Sequence, residues 1–126
     1  MSSINISTGN YIKAIFTLNN GEKGVGVKSC EIAKYLKVTR PAVSMAMSEL
    51  KEKNLIDKYD YGKITLTEEG FKLASSLFRK QLVMKRLFRY IGIEETNCKR
   101  YAIALEKIIS LEDADRIESF LNDSKS

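Results

Sequence analysis

Apolar residues recur every three or four positions through most of this chain, which is the spacing of amphipathic helices. In the first part of the chain the pattern predicts three helices, at about 11–18, 28–37 and 40–54. Thr39 precedes the third helix as an N-cap, and Pro41 lies in its first turn, where a missing N–H costs nothing. The positions expected to be buried are Cys30, Ile32, Ala33 and Leu36 in the second helix and Val43, Met47 and Leu50 in the third.

The pattern changes after residue 54. Residues 55–66 form two short β-prone runs around Gly62, which predicts a hairpin. Thr67, followed by Glu68 and Glu69, begins a long helix that continues to about residue 91, because a hydroxyl and carboxylates suit a helix N-terminus. Two more helices are predicted at 95–109 and 111–122, the second capped by Ser110. The chain is thus predicted to be mainly α with a small β-hairpin.

Helix, turn, helix and hairpin is the order of a winged helix-turn-helix. Ala33 is small where the second and third helices meet, and Leu36 and Val38 fill the angle between them. The opposite side of the third helix would then enter a major groove of DNA. The candidate DNA-binding residues are Thr39, Arg40, Pro41, Ala42, Ser44, Met45 and Ser48 in this helix, and Lys58 and Lys63 in the hairpin, where Tyr59 and Tyr61 accompany them.

The chemistry of these side chains suits DNA. Thr39 and Ser44 can donate to phosphates or base edges, and Arg40 can bind a phosphate or a guanine. Ala42 and Met45 offer apolar contacts to thymine methyl groups. A winged helix can also serve as a protein-interaction module, and that alternative stays open at this point. Salt-dependent affinity for duplex DNA distinguishes the two.

The charge of the chain favours a polyanionic partner for its first half. The net charge is +5, and residues 1–66 hold an excess of four basic side chains, against one in residues 67–126. The basic run Arg79, Lys80, Lys85, Arg86 and Arg89 either extends a DNA footprint or, as we favour, pairs with Glu112, Asp113, Asp115 and Glu118.

Other residue types narrow the function further. The chain has no histidine and two cysteines, Cys30 and Cys98, so we expect buried thiols in a reducing compartment and no disulfide framework. No Ser, Cys or carboxylate arrangement typical of catalysis is present, so we do not expect an enzyme. No apolar run is long enough to span a membrane, which leads us to expect a cytoplasmic protein.

Several segments together resemble the metal-dependent repressors of the diphtheria toxin repressor and manganese transport regulator family. They are YIKAIF at 11–16, EIA at 31–33, TRPAVS at 39–44, LTEEG at 66–70, IGIEE at 91–95, LE at 105–106 and DRI at 115–117. The resemblance implies a winged DNA-binding domain over residues 1–66 and a helical linker and dimerisation domain over 67–126, without the third domain of longer relatives. It also implies a homodimeric repressor that reads a palindromic operator in double-stranded DNA.

The same resemblance implies a site for Mn²⁺ or Fe²⁺, but the residues at its ligand positions have changed. Those positions hold Asn10, Lys13, Gln81, Ile103, Glu106 and Lys107. One carboxylate and two amides are a poor ligand set for such ions. Two unit positive charges about 4 Å apart repel by roughly 4 kcal/mol at an effective dielectric constant of about 20. We therefore expect no metal cofactor at these positions.

Two interpretations of the lysines remain. Either Lys13 or Lys107 pairs with Glu106 in place of the ion, or the lysines point to solvent and Ile103 closes the pocket. Both predict a regulator that does not need divalent metal. A regulator gated by metal at a rearranged site, or by a small ligand, is a further alternative.

Overall fold

The computed structural model describes residues 8–21, 25–58 and 62–124. These residues form two compact units, the first ending at Ala74 and the second beginning at Ser75, so that the boundary falls within a long helix. The elements in chain order are α1 (Thr8–Leu18), β1 (Val27–Lys28), α2 (Ser29–Leu36), α3 (Arg40–Glu52), β2 (Ile56–Lys58), β3 (Lys63–Leu66), α4 (Glu68–Tyr90), α5 (Glu95–Leu105) and α6 (Leu111–Ser124).

The core of the first unit lies between the three short helices and the sheet. Its most deeply buried side chains include Ile12, Ile15, Ile32, Val43 and Ile64. Burying an aliphatic side chain of this size stabilises the folded state by about 1.5–3 kcal/mol. Packing of these residues fixes which side of each helix is left outside.

The predicted buried side of α3 is confirmed, whereas one prediction for α2 is wrong. Val43, Met47 and Leu50 are all buried. In α2, Ile32 and Ala33 are buried, but Cys30 is exposed. Cys30 stands two residues before Ile32, which is about 200° around a helix of 3.6 residues per turn. Its thiol therefore faces away from the core.

A three-stranded antiparallel sheet replaces the simple hairpin of the prediction. The predicted strands β2 and β3 pair, with Ile56 opposite Leu66. The additional strand β1 pairs with the other edge of β3, where Val27 is opposite Ile64. Two residues are too few to show the alternation that identifies a strand, so the sequence pattern misses β1.

The predicted helix caps are confirmed. The Thr39 hydroxyl oxygen accepts a hydrogen bond from the Ala42 N–H at 3.2 Å, and Pro41 lies in the first turn of α3. The Thr67 hydroxyl oxygen accepts one from the Gly70 N–H at 3.0 Å, and the Ser110 hydroxyl oxygen one from Asp113 at 3.0 Å. These bonds satisfy N–H groups that a helix start leaves without an intrahelical partner.

In the second unit α5 is shorter than predicted. It ends at Leu105, because the N–H groups of Ile108 and Ile109 both donate to the Leu105 carbonyl and close a turn there. Ile108 is exposed, so it does not continue the buried side of the helix. Within the described residues, no helix combines the length and the apolar character needed to cross a membrane.

Candidate DNA-binding surface and family ligand positions

The outer side of α3 presents most of the residues expected to contact DNA. Arg40, Pro41, Ser44, Met45 and Ser48 are exposed, and so is the cap residue Thr39, while Ala42 is half-buried. Burial of Val43, Met47 and Leu50 on the other side positions this surface. The α3 surface, defined as residues 40, 41, 44, 45 and 48, therefore faces solvent.

Thr39 keeps a donor for a ligand while it caps the helix. Its hydroxyl oxygen accepts the Ala42 N–H, so its own O–H hydrogen remains to be donated elsewhere. Arg40 follows as the only charged residue in the first two turns of α3, and Glu49, Lys51 and Glu52 come after it. The N-terminal end of this helix thus combines a guanidinium group with small hydroxyl groups.

The sheet places two basic residues opposite each other, and only one of them, Lys63, is a candidate from the sequence. Lys63 in β3 and Lys28 in β1 are exposed and directly opposite each other. Like charges opposite each other on a sheet are destabilising in the free protein, and a phosphate between them would relieve that repulsion. The sequence pattern does not reveal β1, so it does not indicate that Lys28 stands beside Lys63.

The rest of the hairpin is described only in part. Lys58 lies at the end of β2, opposite Ile64. Tyr59 and Tyr61, which sequence analysis placed beside the lysines, lie outside the described residues.

The family ligand positions differ in burial. In the first unit, Asn10 is half-buried and Lys13 is buried, with 9% of its surface exposed. In the second unit, Glu106 is fully buried, Gln81 and Ile103 are half-buried, and Lys107 is exposed. The burial of Lys13 contradicts the interpretation that both lysines point to solvent; Lys107 is exposed, and closure of the pocket by Ile103 stays a prediction.

These residues do not fit a divalent ion. Glu106 is a buried carboxylate and could serve as a ligand, but an ammonium group has no lone pair to donate and Ile103 has no donor atom. Across the described ranges 8–21, 25–58 and 62–124, no group of three His, Cys, Asp or Glu residues is placed to hold a metal. A carboxylate with two neutral amide oxygens falls short of what Mn²⁺ or Fe²⁺ requires.

The basic residues of α4 are engaged within the second unit. Arg79 contacts Asp115 at 2.5 Å and Glu118 at 2.6 Å, and Arg86 lies 3.8 Å from Glu118. The favoured pairing with the acidic helix α6 is thus confirmed for both arginines. Hydrogen bonds from Arg89 to Glu95 lower the pKa of the Glu95 carboxyl group. These contacts account for three of the five basic residues of the run without DNA.

Family models match both parts of the chain. The model of the iron dependent repressor N-terminal DNA binding domain matches residues 5–64. The model of the iron dependent repressor metal binding and dimerisation domain matches residues 67–126. The match to a dimerisation domain supports a homodimer, and the match to a DNA binding domain supports a DNA partner.

Curated relatives and solved structures agree with these matches. Uncharacterized HTH-type transcriptional regulators of Aeropyrum pernix and Methanocaldococcus jannaschii are both 28% identical, each over 91% of this chain and over 64% and 92% of their own lengths. The structure of the manganese regulator SloR is 29% identical with a TM-score of 0.77 and covers 94% of this chain. A hypothetical protein of Sulfolobus solfataricus is 26% identical over 91% of this chain and 87% of its own, with a TM-score of 0.74.

The chain spans 55% of the SloR chain and 64% of the Aeropyrum relative. The predicted fold class, a winged helix-turn-helix followed by a helical dimerisation domain, is confirmed by the elements and by these likenesses.

Proposed function

Because the chain belongs to the iron-dependent repressor family, we propose that it is a DNA-binding transcriptional regulator, a repressor, that binds its operator without a divalent ion at the inherited ligand positions. The observation that carries DNA binding is the exposed α3 surface, held outward by a winged helix-turn-helix. The proposed independence from metal rests on the residue types at the ligand positions, which include one carboxylate and two lysines.

In this proposal the α3 surface enters the major groove. Arg40 binds a guanine edge or a phosphate near the helix start, and the hydroxyl groups of Thr39 and Ser44 donate to the backbone or to base edges. Pro41, Ala42 and Ser48 lie in the same first three turns, where a recognition helix contacts bases. The exposure of these residues supports the assignment, since none except Ala42 is even half-buried.

The wing contacts the adjacent phosphates. Lys63 is exposed on β3, and Lys28 faces it on β1, so the pair can neutralise backbone charge. Lys58 ends β2 opposite Ile64, not opposite Lys63, and its contact with DNA stays a prediction from the sequence. Such contacts set the position of the protein on DNA and carry little sequence information.

We assign DNA binding to residues 1–66 and linkage and dimerisation to residues 67–126. A homodimer carries two copies of α3 related by a two-fold axis, so its operator is a palindrome of two half-sites. A regulator of this kind acts on the chromosome, and we accordingly expect it in the cytoplasm.

Burial favours Lys13 over Lys107 as the ammonium group that replaces the ion. Lys13 is buried in the first unit, whereas Lys107 is exposed. A buried charge is costly unless an opposite charge or hydrogen bonds compensate it. In the proposal, a lysine of this chain supplies positive charge at a position where the family resemblance implies a metal ligand.

The direct experiment is fluorescence anisotropy with duplex DNA. An operator is first selected from a random duplex pool with the purified protein, and its affinity is then measured over a series of salt concentrations. We expect the logarithm of the association constant, log K, to fall linearly with the logarithm of the salt concentration, because counterions are released from the neutralised phosphates. A protein-interaction module would select no sequence and show no such slope, and that outcome would reject the proposed function.

A further inference from the structure

We infer that Met45 reads a thymine methyl group, so that each operator half-site contains an A·T pair recognised through the C5 methyl of its thymine. The inference rests on the proposed function, because it concerns the surface that α3 presents to DNA. It goes further by assigning a base to one residue and a means of recognition to the half-site.

The exposure of Met45 is the first observation. Its side chain is 75% exposed, whereas Met47, two residues along the same helix, is 4% exposed. In the described part of the first unit no other large apolar side chain is as exposed; Val25 and Tyr35 follow at 59% and 50%. Single exposed apolar residues are common on protein surfaces, so exposure alone does not identify Met45 as a contact residue.

Met45 lies on the side of α3 that points away from the core. Val43 and Met47, which are buried, stand two residues before and two residues after it, about 200° around the helix. Pro41 lies one turn before Met45 and Ser48 one turn after it, and both are exposed and uncharged. The charged residues stand at either end, with Arg40 at the start and Glu49 one turn after Met45, where Glu49 pairs with Lys53 at 3.4 Å.

The residue types of α3 exclude the bidentate contact to adenine, which favours the methyl group of thymine as the feature that distinguishes an A·T pair. Asparagine and glutamine, which bind the adenine edge with two hydrogen bonds, are absent from Arg40–Glu52. An exposed thioether chain is flexible and polarizable, and it can cover a methyl group in the groove. The thymine methyl is the apolar group that the major groove offers.

The experiment replaces thymine by uracil, which keeps the base pair and removes only the methyl group. Each thymine of the selected operator is changed in turn, and the dissociation constant is measured by anisotropy at fixed salt. For the wild-type protein we expect at least one position per half-site at which affinity falls about fourfold. This is the effect expected when the burial of one methyl group is lost.

Two variants identify the residue responsible. Met45→Leu keeps an apolar side chain of similar volume and should keep the sensitivity to uracil. Met45→Gln is close in length but polar, and the same operator should then bind equally well with thymine or uracil at that position. Thermal unfolding checks that both variants are folded, which the exposure of Met45 leads us to expect.

The inference is overturned if wild-type protein binds the uracil operator equally well at every position, or if Met45→Gln keeps the sensitivity. These outcomes differ from failure of the proposed function, in which the wild-type protein selects no duplex and shows no salt-dependent binding at all.

Discussion

Arg40 and Lys63 are both exposed basic residues of the first unit, but they stand on different elements and should contribute differently to binding. Arg40 begins α3 beside the hydroxyl groups of Thr39 and Ser44. Lys63 lies on β3 opposite Lys28. A guanidinium group at a recognition helix can bind a base edge with two hydrogen bonds, whereas a wing lysine neutralises phosphate as a point charge.

Replacing Arg40 tests the α3 surface at the level of one residue. Arg40→Ala should weaken operator binding by about 1–3 kcal/mol and relax selectivity at the base pair it contacts. Arg40→Lys keeps the charge but loses the planar fork, and should recover affinity for unrelated DNA without recovering selectivity. Competition anisotropy against single base-pair changes measures both. Wild-type affinity and selectivity in Arg40→Ala would show that the contact surface lies elsewhere.

Replacing Lys63 tests the wing. Lys63→Ala should lower affinity evenly for specific and unrelated duplexes, and should reduce the slope of log K against log salt by about one, since one phosphate contact is lost. Lys99→Ala is the matched control, because Lys99 is an exposed lysine of α5 in the second unit. An equal change of slope in both variants would attribute the effect to net charge and not to the wing.

At the scale of elements, the start of α4 is joined closely to the segment before β2. The Thr67 N–H donates to the Leu55 carbonyl at 3.0 Å, and the Thr67 hydroxyl donates to the Asn54 carbonyl at 2.8 Å. Gly70 is buried there, and a Cβ at this position would overlap the Leu55 carbonyl oxygen. The glycine of the LTEEG segment is therefore required by backbone packing in the first unit.

Gly70→Ala should lower the free energy of unfolding by about 3 kcal/mol, the upper part of the range for overpacking. Helix propensity alone predicts the opposite sign, because alanine is favoured over glycine within a helix by about 1 kcal/mol. Urea unfolding followed by circular dichroism measures the change, and Ser75→Ala, at an exposed position of the same helix, serves as the control. A Gly70→Ala variant as stable as the wild type would contradict the described packing.

The predicted helices have enough residues to show a period, and the two hairpin strands were indicated by β-prone runs around Gly62. The stripe of α3 and the caps at Thr39, Thr67 and Ser110 follow from local chemistry, and all are confirmed. Strand β1 has two residues and depends on pairing with a distant strand, which no local pattern reveals. The early end of α5 depends on a turn at Leu105 that apolar spacing alone does not show.

The sequence predicts those parts of the candidate site whose orientation depends on which side of a helix is buried. Three buried residues fix the outer side of α3, so its exposed residues could be named from the sequence. Lys28 could not, because its place beside Lys63 exists only once the sheet has formed. The burial of Lys13 was likewise hidden, since a lysine in an amphipathic helix is ordinarily exposed.

At the scale of the whole molecule, the basic residues serve two purposes: those of the first half are proposed to bind DNA, and three arginines of α4 stabilise the second unit. The first half of the sequence holds most of the positive excess, and Arg79, Arg86 and Arg89 of α4 are engaged with Asp115, Glu118, Asn122 and Glu95 within the second unit. DNA affinity should therefore arise mainly from the first unit. Two of the six family ligand positions hold lysine, Lys13 in the first unit and Lys107 in the second.

The central claim is that operator binding does not depend on a divalent ion. The most direct test is the dissociation constant for the selected operator, measured by anisotropy at constant ionic strength in EDTA, in Mn²⁺, and in Mg²⁺ as a control for general divalent effects. We predict the same constant in all three, because one carboxylate and two amides at the family ligand positions are a poor ligand set for such an ion. Binding that is lost in EDTA and restored by Mn²⁺ but not by Mg²⁺ would contradict this claim.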